Sequence, residues 1–166
     1  MRFIEELKGG DLRSLGKSNQ IAKQVNDQEA FNDLFDCIFH PDRVVAMRSI
    51  DAVEKITIDH PEYLQAHKLK LLALLDQDSP KEFKWHLPLL IVRLSLSSSE
   101  TGKVWEKLSQ WALDKTESRI VRVHSIQGMF DLLKNYPDLK GDFDLTVEEL
   151  KQSGIPSIIA RLKKFR

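Results

Sequence analysis

The sequence predicts an all-α protein assembled from repeated helix pairs, and three observations carry that reading. Apolar residues recur at helical spacing along nearly the whole chain, while strand-like alternation never persists beyond a few residues. The spaces between helical stretches are short, which favours antiparallel neighbours. Superimposing the sequence on itself at a shift of 38 residues aligns apolar positions without a gap.

The elements follow in order. The first eight residues fit a single helical turn, and helices are expected near 11–25, 28–39, 43–58, 62–76, 80–96, 101–114, 118–135, 145–153 and 156–165. In the stretch 43–58, Val45, Ser49, Ala52, Val53 and Ile56 share one side of a helical wheel, whereas Arg48, Asp51 and Lys55 fall on the opposite edge. Ser79-Pro80-Lys81-Glu82 has the form of a capping box with a proline at the first helical position, and Thr146-Val147-Glu148-Glu149 repeats the form. Pro88 falls inside an expected helix and predicts a bend there. Gly154 is placed to stop a helix and Pro156 to open the last one.

The 38-residue shift aligns Cys37, Leu75 and Leu113; Val45, Phe83 and Val121; Val53, Ile91 and Met129; and Ile56, Leu94 and Leu132. Leu34 aligns with Leu72 and Gln110, Ser49 with Leu87 and Ser125, and Ala52 with Leu90 and Gly128. The clearest repeats are 28–61, 62–99 and 100–137, with capping helices on either side. The expected organisation is one domain spanning 1–166.

Composition removes several classes of function. The 166 residues carry 25 basic and 25 acidic side chains, so no net field draws the molecule to DNA or to an anionic membrane, and any such attraction must be local. The segment Met1–Lys8 turns charged within five residues and lacks the apolar core of a signal peptide, and the greasy run 87–92 is far too short to cross a bilayer. With a single cysteine, Cys37, no internal disulfide can form. A cytoplasmic location without membrane contact is the expectation.

No cofactor, metal or catalytic signature emerges. Gly16-Lys17-Ser18 lacks the glycine five residues earlier that a phosphate loop requires, Asp11 standing there instead. His40, His60, His67, His86 and His124 never recur at the spacing that holds zinc on a helix. Cys37 sits in an apolar column, which suits a small buried hydrophobe better than a nucleophile.

A pair of helices per 38 residues, with a turn leading into a Val-rich helix, resembles the HEAT-repeat family, including small bacterial HEAT-type proteins without an assigned activity. The resemblance implies a right-handed α-α superhelix of about four helix pairs. It also implies a ladder between an aspartate in the turn within each repeat and a basic residue six positions later. Asp78 and Lys84 match that ladder, as does Arg122 following Val121, whereas His40 and Thr116 replace the aspartate and Ala46 replaces the basic residue. The second helices of such repeats line the concave side. Arg48, His86 and His124 then form one column there, Lys55 and Arg93 another, and Arg43, Lys81 and Arg119 a third, with Trp85 at the border and Arg122 beside it.

Two readings of these columns stand. They form a solvated face with local pairing to Asp42, Glu82 and Glu117, or a basic stripe for an acidic partner. The expected function is a non-catalytic scaffold that presents this face to a protein or peptide. The alternative is binding to a nucleic-acid backbone, in the manner of the HEAT-like alkylpurine DNA glycosylases, which the chain resembles in architecture.

Overall fold

A computed structural model describes residues 2–10 and 16–165. Among the described residues every regular element is helical. The chain divides into two compact units, Met1–His67 and Lys68–Arg166.

The first unit contains α1 (Ile4–Leu7), α2 (Gly16–Gln24), α3 (Gln28–Asp36) and α4 (Arg43–Asp59). A tight 3-10 turn, Cys37–Phe39, prolongs α3, and another, Pro61–His67, follows α4. Residues 11–15, the start of the helix expected at 11–25, lie outside the described residues. Helix α1 packs on α2 and α3 on α4, while α1 and α2 also rest against α4. Aspartates start two of these helices. Asp27 accepts a hydrogen bond from the Ala30 amide at 2.8 Å, and Asp42 accepts one from Val44 at 2.9 Å, each satisfying an amide that the helix leaves over.

Helix α4 is the centre of this unit. Nine consecutive residues, from Val45 to Val53, are buried. This corrects the wheel, which put Arg48 and Asp51 on a wet edge. That edge is the side on which α2 and the segment after α1 lie.

The second unit holds α5 (Lys68–Asp76), α6 (Lys81–Ile91), α7 (Ser98–Leu113), α8 (Arg119–Leu132), α9 (Lys140–Lys151) and α10 (Pro156–Leu162). Each odd-numbered helix packs on the next even one. In addition α5, α7 and α9 contact in sequence, as do α6, α8 and α10, so the unit has two helix layers. The helix expected at 62–76 is a 3-10 segment followed by α5, and α9 begins at Lys140, five residues before the position that the sequence suggested.

Neither expected capping box forms. Pro80, not Ser79, occupies the N-cap of α6, and the Ser79 hydroxyl donates back to the Leu74 carbonyl. Thr146 lies within α9, with its hydroxyl on the Asp142 carbonyl. A box does form at α7, where Ser97 accepts from the Glu100 amide and the Glu100 carboxylate accepts from the Ser97 amide. Gly154 follows α9 with φ +67°, the left-handed conformation that glycine adopts most easily, and Pro156 stands in the first turn of α10.

The repeat register is visible in burial. Ser49, Leu87 and Ser125 are buried, and so are Ala52, Leu90 and Gly128; Val53, Ile91 and Met129; and Ile56, Leu94 and Leu132. The remaining columns hold less evenly, since Phe83, Leu113 and Leu72 are only half-buried and Gln110 is exposed. Within the second unit this register brings α6 and α8 together at backbone distance. Pro88 lies inside α6, which ends three residues later, and its carbonyl faces Gly128 of α8. A Cβ at position 128 would stand 2.9 Å from the Pro88 oxygen and 3.0 Å from Leu108 Cδ1.

Because backbone cannot yield as a side-chain tip does, Gly128→Ala is expected to push α6 and α8 apart and to lower stability by about 1–3 kcal/mol. Urea unfolding followed by circular dichroism measures this, with the wild-type chain as reference.

Candidate functional site

The residues expected to form a basic stripe meet different fates, and neighbouring elements decide which. In the first unit, Arg43 is exposed at the start of α4. Arg48 is fully buried. Its guanidinium donates to the Leu7 and Gly9 carbonyls, each at 2.6 Å, so it closes the C-terminal end of α1, where a helix presents unsatisfied oxygens and partial negative charge. Arg48 is therefore a structural cation and no part of an open surface.

Lys55 is likewise engaged. Its ammonium forms an ion pair with Asp51 and donates to Asn19 Oδ1 at 2.7 Å. Asp51 also accepts from the buried Ser18 hydroxyl at 2.5 Å. Lys17 donates to the Lys8 carbonyl. The Gly16-Lys17-Ser18 segment thus serves to seat α2 on α4 and to hold the chain after α1.

In the second unit, Lys81 and Arg119 lie at equivalent positions in the first turns of α6 and α8, both exposed. Neither has a hydrogen bond or ion pair among the described residues. Trp85, His86, Arg93 and His124 are half-buried. His124 Nδ1 donates to the Trp85 carbonyl, tying α8 to α6, whereas the Trp85 indole N–H is buried with no acceptor among the described residues. Arg122 departs from the expected surface stripe. It is only 4% exposed and donates through Nε to the Ala112 carbonyl at 2.9 Å, at the C-terminal end of α7.

Local pairing of the first-turn cations fails in this unit. Glu117, which the sequence offered to Arg119, accepts instead from Lys84 at 2.5 Å. Glu82, beside Lys81, is buried. In the first unit Asp42 is committed to the Val44 amide.

The outer side of α8 continues from Ile120, 45% exposed, through His124 to Gln127 and Asp131. Gln127 donates to Asp131 and accepts from Arg161 of α10 at 2.8 Å. Nothing in the spacing of charges singles out Ile120, although its place beside Arg119 at helical spacing was readable.

The HEAT repeat domain family matches residues 11–164. The chain belongs to the HEAT-repeat family. Searches of curated proteins and of solved structures found no match.

In HEAT terms α5, α7 and α9 are first helices of their pairs, and α6, α8 and α10 are second helices. The ladder of this HEAT chain is rebuilt rather than lost. Lys84 takes the carboxylate of Glu117 in the following turn, and its ammonium lies 5.6 Å from the Trp111 ring centre. Where the turn has Thr116 in place of aspartate, Asp114 supplies the negative charge. The Thr116 hydroxyl and amide bind it and hold its carboxyl below the usual range, with the nearby charges of Lys84 and Arg122 adding to the effect. Asp78, the expected partner of Lys84, is exposed and lines the same polar hollow. Among the described residues, no group of three or more His, Cys, Asp or Glu side chains converges as a metal site. Also among the described residues, no helix is long and apolar enough to cross a membrane.

Replacing Arg48 by Met leaves the Leu7 and Gly9 carbonyls without their donor, and the expected loss of stability is about 2–4 kcal/mol. Hydrogen exchange separates the causes, with the Leu7 and Lys8 amides losing protection before those of α4. Cys37 is buried, and that burial raises its thiol pKa above the ordinary value, so the native protein is expected to resist a water-soluble disulfide reagent at neutral pH and to react fully once unfolded.

Proposed function

We propose that this HEAT chain is a non-catalytic binding module that receives an acidic segment of another protein on the N-terminal ends of α6 and α8. One observation carries the reading. Lys81 and Arg119 stand exposed at equivalent positions of adjacent helices, and the carboxylates beside them in sequence are buried or engaged elsewhere. A cation in the first turn works against the helix dipole by about 0.3–1 kcal/mol, so both residues are locally unfavourable until an anion arrives. Ile120 offers an apolar contact next to them, and Trp85 lies one turn further along α6 from Lys81.

A partner with carboxylates spaced to meet two neighbouring helices and an apolar residue between them suits this arrangement. A nucleic-acid backbone suits it less, because a phosphate track needs successive free cations. Arg48, Lys55 and Arg122 are held by carbonyls and carboxylates within the fold.

Fluorescence anisotropy with a labelled peptide of alternating glutamate and leucine tests the proposal. The expected result is salt-sensitive binding that Lys81→Glu with Arg119→Glu weakens by about tenfold, each exposed contact contributing up to about 1 kcal/mol. Tighter binding to a short DNA duplex than to the peptide, with a steep salt dependence, would overturn it, as would a peptide affinity unmoved by the double reversal.

A further inference from the structure

The C-terminal end of α8 meets α9 and α10 around a hollow of about 230 Å³. Its apolar lining includes Phe130, Phe143 and Phe165, three rings in mutual contact. Phe165 stacks on Phe130 at 4.4 Å between centroids and meets Phe143 at 5.8 Å. Val147 of α9 and Ile159 of α10 complete the walls. This is a sheltered apolar space rather than a flat patch, and a protein of this size has little reason to leave one between its last helices unless something enters it.

The charges around it are unequal. Lys140, Lys151 and Lys163 line the hollow against one carboxylate, Asp144. Lys140 is paired with Asp144, and Lys151 reaches Glu148 at 2.5 Å just outside. Lys163 is exposed and has no hydrogen bond or ion pair among the described residues. Counting Glu148, the rim keeps one uncompensated positive charge beside an apolar interior.

We infer that the hollow binds a medium-chain aliphatic carboxylate, with its tail among the phenylalanines and its carboxylate on Lys163. The size is in keeping. A volume of 230 Å³ corresponds to about eight atoms of the bulk of a water molecule in the liquid, which matches the hydrocarbon part of octanoate with its head left at the rim. The charge decides between anionic and neutral amphiphiles, since a lone exposed ammonium at an apolar mouth is complemented by one anion. This site is separate from the N-terminal ends of α6 and α8, and its occupancy does not depend on the proposed acidic partner.

The test is a titration of the isotopically labelled full chain with sodium octanoate, followed by methyl resonances. Shifts confined to Val147, Ile159 and Leu162 are expected, with 1-octanol binding several-fold more weakly. Lys163→Glu, a surface change that leaves the fold alone, should weaken octanoate by about fivefold and leave octanol unchanged. Val147→Phe fills the hollow and should abolish both. A thermal melt checks that each variant is folded. Octanol binding as tightly as octanoate would overturn the assignment of an anionic ligand. No shift with octanoate, shifts elsewhere on the chain, or undiminished binding in a folded Val147→Phe variant would overturn the site itself.

Discussion

A two-helix unit of about 38 residues has more apolar surface than its own two helices can cover, so each pair must be sealed by the next. Contact between successive second helices is where that requirement is met most tightly in the Lys68–Arg166 unit. There α6 and α8 approach until the Pro88 carbonyl touches the space that a side chain at Gly128 would need. The small residue sits where the separation of the helices is set, and the larger Leu90 and Ile91 fill the flanks. The pairing of α7 with α8, the reach of His124 to the Trp85 carbonyl and the Lys84–Glu117 bridge all presuppose that separation.

Periodicity made the fold readable because burial in a helix leaves a regular trace. The columns led by Ser49, Ala52, Val53 and Ile56 are buried three times over, as the register required. Caps were harder to read. The same Ser-x-x-Glu form occurs at Ser79 and at Ser97, yet only the second closes, because Pro80 takes the cap position in the first case and Glu82 is drawn into the interior. A local motif has no knowledge of what will pack on it. Thr146 makes the same point, lying in the middle of a helix whose start was set earlier, after the Pro137–Leu139 turn.

The charged columns were legible as positions and illegible as environments. Arg48, His86 and His124 share one repeat position, but the first is sealed within its unit while the others keep part of their surface. What separates them is the coverage of α4 by α2 and the chain after α1, a tertiary fact with no signature in residue spacing. Lys81 and Arg119 were identifiable at first reading, and what the structure adds is the removal of their nearest counterions. The hollow among Phe130, Phe143 and Phe165 could not be anticipated, since those rings come from three separate elements outside any shared column.

The seating of α2 through Ser18, Asp51 and Lys55 bears on how the Met1–His67 unit chooses among arrangements. Apolar ridges tolerate sliding, because one methyl group can replace another at similar energy. A carboxylate withdrawn from water and satisfied by one hydroxyl and one ammonium tolerates none, because moving α2 by a single turn would strand the anion. The polar triad therefore acts as a key cut for one alignment, and it adds selectivity to a contact whose strength comes from hydrophobic burial.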